Sequence, residues 1–172
     1  MRNNNYQQPE REFSESVVEI NRISKKTKGG NQIRFAAVVV LGDKKGRVAV
    51  GNSKALDVKN AIRKAIDDAK KNMVKITMRG TTIPFSSVSK VGASYVMLKP
   101  APPGSGIIAG GQMRIVLEAA GIRDVVGKSL GGSSKIGNVR ATIDALVKSS
   151  KLLEKKNFQI AKFANLGRKE TK

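Results

Sequence analysis

The stretch that decides the fold is residues 33–51, IRFAAVVVLGDKKGRVAVG. Its first part, Ile33–Leu41, is apolar and rich in valine, which predicts a strand because β-branched side chains pack well on a pleated sheet. Gly42–Gly46 is polar and bounded by glycines, which predicts a hairpin turn. Arg47–Gly51 is then the return strand. The stretch therefore predicts an antiparallel hairpin.

The segments on both sides of this hairpin complete a first module. Val17–Ile23 is rich in β-branched residues and predicts another strand. Lys25–Asn31 contains two glycines and no apolar residue, which predicts a loop. Asp57–Asn72 carries apolar side chains at helical spacing, with Asp57 as N-cap. The first module is therefore predicted as strands with a helix across one sheet face and a basic loop at one end.

A second module is predicted to begin near residues 74–80, where the strongly basic first half gives way to a more neutral stretch. Further strands are predicted at Val74–Arg79, Thr81–Val91, Ser94–Lys99 and Ile122–Val126, and helices at Met113–Ala120 and Val139–Leu153. Pro100–Gly106 is rich in proline and glycine and fits neither a helix nor a central strand. Gly121 is a suitable stop for the first of these helices.

The composition excludes several classes of protein. The 172 residues include no cysteine and no histidine, so disulfides, the usual zinc sites and a Ser-His-Asp triad are all absent. Lysine and arginine number 33 against 13 acidic residues, a formal net charge of +20. A chain with this positive charge is expected to bind a polyanion, and nucleic acid is the leading candidate. No apolar run has the length of a membrane span and the N-terminus is polar, so we expect no membrane partner and a cytoplasmic location.

The sharpest motif is the basic stretch 22–34, which holds five cations and no acidic residue. Its paired glycines let the backbone approach a phosphate while the lysines neutralise its neighbours. The alternative interpretation is a solvated basic turn, and the net charge favours contact with RNA or DNA. The candidate RNA-binding residues in and beyond this stretch are Arg22, Lys25, Lys26, Lys28, Gly29, Gly30, Arg34, Lys45, Arg47 and Lys54.

Two glycine-rich motifs fail as nucleotide sites. Gly104–Gly111 looks like a dinucleotide fingerprint, but proline precedes it and no acidic residue follows at the required distance. Gly121–Ser129 has one residue too many between its glycines for a phosphate-binding loop. Carboxylates are too sparse to form a metal pair. We therefore expect no small-molecule substrate and no cofactor.

Four motifs together resemble the bacterial small-subunit ribosomal protein five family. They occur in the family's order between about residues 13 and 153. The motifs are Val18-x-Ile20-Asn21-Arg22-Ile23-Ser24-Lys25-x-x-Lys28-Gly29-Gly30, Val40-x-Gly42-Asp43-x-x-Gly46-Arg47-Val48, Gly104-x-Gly106-Ile107-Ile108-Ala109-Gly110-Gly111-x-Met113-Arg114-x-Val116-Leu117-Glu118 and Val139-Arg140-Ala141-Thr142-Ile143-Asp144. The chain departs from the family where two glycines are replaced by Ala49 and Ser53.

The resemblance implies an α+β chain of two domains. A flexible segment, 1–12, precedes a double-stranded-RNA-binding-like α/β domain at 13–76, which carries the basic loop 22–34. It also implies that residues 77–154 form a four-stranded α/β domain with a left-handed βαβ connection. The stretch 155–172 does not match the family, and its basic, weakly patterned sequence predicts a tail.

The resemblance also implies a function. The family is a structural, non-enzymatic part of the small (30S) ribosomal subunit and binds 16S rRNA where head meets body. It contacts small-subunit proteins four and eight, lies near the messenger RNA as it enters, and influences decoding fidelity. Gly106 and Arg114 would lie at the interface with protein four. Any structural Mg²⁺ would be carried by the rRNA.

Two other classes remain open from the residues alone. One is a stand-alone double-stranded-RNA-binding protein or RNA chaperone, which needs no ribosomal partner. The other is an RNA-processing enzyme whose Mg²⁺ is held mostly by phosphates, and the scarcity of clustered carboxylates argues against it.

Overall fold

Two four-stranded sheets organise the chain. The computed structural model describes the backbone of residues 13–167 and the side chains of residues 13–156. The predicted segment 1–12 and the last residues of the predicted tail, 168–172, lie outside the described residues. The strands are β1 Ser14–Thr27, β2 Gly30–Gly42, β3 Arg47–Ala55, β4 Val74–Lys75, β5 Ser87–Val91, β6 Ser94–Pro100, β7 Ile107–Ile108 and β8 Val125–Ser129. The helices are α1 Val58–Lys71, α2 Gly111–Ala120 and α3 Lys135–Gly167.

The first sheet is antiparallel with the order β1-β2-β3-β4, and α1 packs across one face. The face of β3 that meets α1 carries small residues, among them Ala49 and Gly51. A Cβ on Gly51 would overlap the carbonyl oxygen of Ala65 in α1. The helix can therefore lie directly on the strand only because this position has no side chain. Asp57 occupies the N-cap position as predicted but makes no side-chain capping bond.

The prediction of a loop at residues 25–31 is wrong. β1 continues to Thr27 and β2 begins at Gly30, so only two residues form the turn between them. The Thr27 hydroxyl donates to the Gly30 carbonyl at 2.8 Å, and Gly30 has a φ of +124°. Cross-strand pairing satisfies the backbone of this polar stretch without burying any side chain. The polar composition of residues 25–31 therefore led to the wrong prediction of a loop.

The second sheet has the order β5-β6-β8-β7. Its first three strands are antiparallel neighbours, and β7 pairs with β8 in parallel, so β7–α2–β8 is the expected βαβ unit. α2 ends at Ala120 as predicted, and Gly121 follows with a φ of +88°. Two mixed α/β domains are thus present, which confirms the predicted fold class.

Four predicted elements differ markedly in extent from the observed ones. The strand predicted at Thr81–Val91 forms only over Ser87–Val91. Val74–Arg79 yields only the two-residue β4, which completes the first sheet rather than opening the second. The strand predicted at Ile122–Val126 begins only at Val125. The last helix starts at Lys135 and reaches Gly167. The apolar side chains at helical spacing mark only the part of the helix that packs against the core, and good helix formers continue the helix beyond that part.

One hydrophobic core joins the two sheets. Its buried side chains include Val40 and Val48 from the first sheet and Leu98, Leu117 and Leu146 from the second domain. The first sheet therefore lies between α1 on one face and the second domain on the other.

The turn between β2 and β3 docks onto the end of α2. The Lys44 amide donates to the Ala119 carbonyl and the Gly46 amide to the Ala120 carbonyl, each at 3.0 Å. These bonds satisfy carbonyls that a helix end leaves without partners. The contact fixes the two domains against each other.

Candidate RNA interface

A two-stranded ribbon projects from the first sheet. β3 pairs with β2 only as far as Phe35, opposite Ala55, so residues 23–34 have no third strand beside them and Arg22 lies at the base of the ribbon. Six residues of β1, Arg22 to Thr27, extend about 20 Å at the usual rise per residue. All five cations of the ribbon are exposed: Arg22, Lys25, Lys26, Lys28 and Arg34. The structure thus collects them on one narrow projection.

The cations of the ribbon lie on both of its faces. Residues opposite each other in an antiparallel pair share a face, and Arg22 lies opposite Phe35. Phe35 packs in the cluster beneath α1, so Arg22 and, by the alternation, Lys26 face that side. Lys25 and Arg34 lie on the opposite face. A ribbon charged on both faces can contact RNA strands on either side of it.

The turn of the ribbon is open. A Cβ on Gly29 or Gly30 would meet nothing within 4 Å, so the space beside both α-carbons is open. Gly30 needs its glycine for the positive φ that closes the turn. Both glycines are exposed, and the approach of their backbone to a phosphate stays a prediction.

The remaining candidate cations divide by position. Lys54 is opposite Ala36 in the register and shares a face with Arg34, so it lies at the base of the ribbon. Lys45 lies in the β2–β3 turn and Arg47 begins β3, so the thirteen-residue β2 separates both from the ribbon tip. The sequence grouped these cations together, and the structure does not bring the last two to the ribbon.

Arg47 is held by its own domain. Its Nε donates to Asp43 Oδ2 at 2.7 Å, and its guanidinium lies 5.6 Å from the centre of the Phe13 ring. The Asp43 side chain is only 6% exposed and also accepts the backbone N–H groups of Lys45 and Arg47. Burial acts to raise the pKa of Asp43, but the hydrogen bonds from Arg47 and Lys45 outweigh it and hold the pKa below its ordinary value. Arg47 thus stabilises the β2–β3 turn.

The two positions at which family glycines are replaced lie on the face of β3 that meets α1. Ala49 is 1% exposed and packs beneath α1, and Ser53 shares its face of β3. The extra methyl of Ala49 therefore adds to the contact with the helix.

The structure brings Gly106 and Arg114 together. Arg114 Nη2 donates to the carbonyl of Ile107, the residue after Gly106, at 3.0 Å. Gly106 has a φ of +73°, and its amide donates to Asp124 Oδ1 at 3.0 Å. Asp124, which the sequence analysis did not select, is 5% exposed and also accepts the Gly104 amide. The Thr81 hydroxyl and then the Gly106 amide lower the pKa of Asp124, so the carboxylate holds this loop in shape.

Arg114 borders a groove of about 700 Å³ with two more cations, Lys44 and Arg123. Glu118 is the single carboxylate among its lining residues. Sequence reasoning missed Lys44 and Arg123 because the three cations come from a turn, a helix and a loop that only the docked domains bring together. The groove joins the two domains at one surface.

A further set of cations covers the exposed side of α1. The sequence placed these side chains opposite the apolar face, and all are exposed: Lys59, Arg63, Lys64, Lys70 and Lys71. Within the described residues, no cluster of three or more potential metal ligands occurs. No helix in the described part of the chain combines the length and the apolar character needed to cross a membrane.

Comparison with protein families agrees with both domains. Residues 13–77 match the family model described as Ribosomal protein S5, N-terminal domain, and residues 89–161 match Ribosomal protein S5, C-terminal domain. The two matches cover most of the 172 residues and occur in this order along the chain. Proteins of this family are structural rather than enzymatic, and they bind RNA in the small subunit of cytoplasmic ribosomes. The chain therefore belongs to the ribosomal protein S5 family and is a structural protein of the small ribosomal subunit.

Proposed function

We propose that residues 22–34 are the main contact of this protein with 16S rRNA, at the junction of the head and the body of the small subunit. The observation that carries the proposal is the projecting ribbon, with five exposed cations, no acidic residue and an open glycine turn. Lysine and arginine neutralise phosphates, and a two-stranded ribbon is narrow enough to enter folded RNA. Lys54 extends the same charged face toward the body of the domain.

We assign the second contact surface to the neighbouring proteins. Gly106 and Arg114 lie on one surface with Lys44 and Arg123, which supports a protein interface there and an interface with small-subunit protein four in particular. Contact with protein eight, nearness to the incoming messenger RNA and an influence on decoding accuracy belong to the same proposal. Lysine and arginine offer donors and no metal-ligand oxygens, so any structural Mg²⁺ at the RNA interface is held by phosphates.

Sedimentation gives the first test. Cell lysate is fractionated on a sucrose gradient at moderate and at high salt, and the chain is followed by mass spectrometry. Co-migration with the small subunit at moderate salt is the expected result. A chain that stays at the top of the gradient at both salts would contradict the proposal and direct attention to duplex-RNA binding or strand annealing.

Directed cleavage gives the second test. The chain has no cysteine, so Asn31→Cys places one thiol near the tip of the ribbon for an iron chelate that generates hydroxyl radicals. In purified subunits we expect 16S rRNA to be cut at the head–body junction. Ser105→Cys, an exposed position in the second domain, is the matched control and should give a different pattern. No rRNA cleavage from residue 31 would remove the ribbon from the RNA interface.

A further inference from the structure

A second groove lies at the outer edge of the second sheet, away from the surfaces assigned above. It has a volume of about 360 Å³ and lies between β5 and α3, and we name it the β5–α3 groove. Its lining residues are Ser86, Ser87, Val88, Lys148, Lys151, Leu152 and Lys155. None of them belongs to the proposed RNA interface or to the surface around Arg114.

The strand beside this groove has one open edge. β5 is the first strand of its sheet and pairs with β6 alone among the described strands. In an antiparallel pair, alternate residues direct their N–H and C=O groups away from the partner strand. An open edge of this kind is a template for another extended chain.

The walls of the groove are partly apolar. Val88 is 41% exposed and Leu152 is 44% exposed, although both are large aliphatic side chains. Ser87 is 6% exposed, and its hydroxyl has no hydrogen-bond partner among the described residues.

The rim of the groove is cationic. Lys148, Lys151 and Lys155 are spaced three and four residues apart and therefore share one side of α3. Lys148 donates to the Ser89 hydroxyl at 3.0 Å. The ion pairs of the described residues involve Arg47 and Lys135, so no described carboxylate neutralises Lys151 or Lys155. The positive charge of these lysines favours the binding of an acidic segment in the groove.

We propose that the β5–α3 groove binds an extended acidic segment of another protein, which adds to β5 as an outer strand and places carboxylates against Lys151 and Lys155. The N–H and C=O groups along the open edge of β5 repeat at the spacing of a peptide backbone, so an extended segment can pair with them. The exposed Val88 and Leu152 can contact apolar side chains of that segment. A nucleic acid could place its phosphates against the lysines, but it has no strand backbone to pair with β5 and no aliphatic side chains to contact Val88 and Leu152. That the partner is a protein of the small subunit rests on the proposed function.

Site-specific cross-linking tests the groove. Ser86 is exposed and lines it, and Ser86→Cys introduces one thiol into a chain without cysteine. The thiol carries a benzophenone, and the labelled chain is assembled into small subunits, purified on a gradient and irradiated. Ser133→Cys, another exposed serine at the far end of α3, is the matched control.

The expected product is an RNase-resistant adduct from position 86, absent from position 133, whose cross-linked peptide is acidic. Its yield should fall about tenfold in the Lys151→Glu/Lys155→Glu variant, because like charges then face the acidic segment. The Lys151→Arg/Lys155→Arg variant should keep it. An RNase-sensitive adduct, no adduct, or a yield indifferent to charge reversal would overturn the proposal.

A second arm does not need the ribosome. The free labelled chain is irradiated with a peptide of alternating threonine and glutamate, and the adduct should again depend on Lys151 and Lys155. Absence of this adduct counts against the groove. Failure of the chain to sediment with the small subunit counts against the proposed function instead, so the two failures are distinguishable.

Discussion

Single residues lock the β2–β3 turn to the second domain. Asp43 satisfies two backbone amides and the Arg47 side chain, and Gly121 leaves room for the Lys44 carbonyl. Each is a small feature, but both lie where the turn meets the end of α2. Their effects can be separated by substitution.

Replacing Asp43 with asparagine should destabilise the protein by about 1–3 kcal/mol at pH 7, because the buried carboxylate accepts three hydrogen bonds. The pKa of Asp43 is lowered in the folded state from its ordinary value of 3.8, so its stabilising effect is complete above that value. The effect is lost as the pH falls through the lower, folded-state pKa. The free energy of unfolding in urea at pH 7, 5 and 3 checks this.

The difference between Asp43→Asn and the unchanged protein should be equal at pH 7 and 5 and smaller at pH 3. Asp57→Asn is the matched control, since Asp57 makes no side-chain capping bond, and it should change stability by less than about 0.5 kcal/mol. A difference that is constant down to pH 3 would show that the carboxylate charge has no role in the turn.

Two glycines with the same backbone conformation should respond differently to alanine. Gly121 has a φ of +88° and Gly104 a φ of +90°, so each alanine carries the same conformational cost of about 1–2 kcal/mol. A Cβ at residue 121 would also overlap the Lys44 carbonyl, whereas one at residue 104 meets nothing within 4 Å. Gly121→Ala should therefore lower the melting temperature clearly more than Gly104→Ala. Equal decreases in melting temperature would show that the turn moves away from the new Cβ at residue 121 with no loss of stability.

At the scale of elements, the ribbon and α3 each extend beyond the core they grow from. The ribbon is stabilised by pairing between its own two strands, and its side chains are free to contact RNA. α3 has its buried face toward the second sheet, with Ile143 and Leu146 among the core residues, while its lysines face solvent. Extension beyond the core gives both elements the exposed surfaces that we propose for binding.

Removing three ribbon lysines should weaken RNA binding mainly through its electrostatic component. The Lys25→Ala/Lys26→Ala/Lys28→Ala variant should reduce the slope of log binding constant against log salt by about 2 to 3, since each phosphate contact contributes nearly one unit. Filter binding to 16S rRNA across a salt series measures the slope. All three side chains are exposed, so the melting temperature should not change.

The matched control removes the same charge from the second sheet. Lys90→Ala/Lys99→Ala/Lys128→Ala alters three exposed lysines outside the ribbon and should change the slope less. Equal slopes for the two triple variants would mean that only net charge matters. An unchanged slope for the ribbon variant would exclude these lysines from phosphate contact.

For the whole molecule, the shared core makes the two domains one folding unit. Val40 of the first sheet and Leu117 of α2 belong to the same buried cluster, and the β2–β3 turn donates hydrogen bonds to the end of α2. A rigid relation between the domains holds the ribbon that we propose to bind RNA and the Arg114 surface at fixed positions. Contacts on one surface can thereby orient the other.

Leu117→Ala should destabilise both domains together. Truncating a fully buried leucine costs about 2–5 kcal/mol, and hydrogen exchange should show amides of β2 and β8 losing protection in parallel. Leu152→Ala, at a position 44% exposed, is the control and should leave both protected. Loss of protection confined to β8 would show that the domains unfold independently.

The sequence by itself determined the local elements with strong patterns. The valine-rich β2, the β2–β3 hairpin, α1 and the stop at Gly121 follow from side-chain period and turn chemistry, which act over a few residues. The charge of +20 and the acid-free stretch at 22–34 indicated a nucleic-acid partner before any fold was known.

Only the tertiary structure decided how these elements combine. The hydrophobic pattern of the sequence does not predict the ribbon, because pairing between two backbones, and not burial of side chains, forms it. The assignment of Val74–Lys75 to the first sheet, the separation of Arg47 from the ribbon, and the grouping of Lys44, Arg114 and Arg123 all depend on contacts between residues distant in the chain. Local propensity carries no information on such contacts, since they exist only once the shared core has formed.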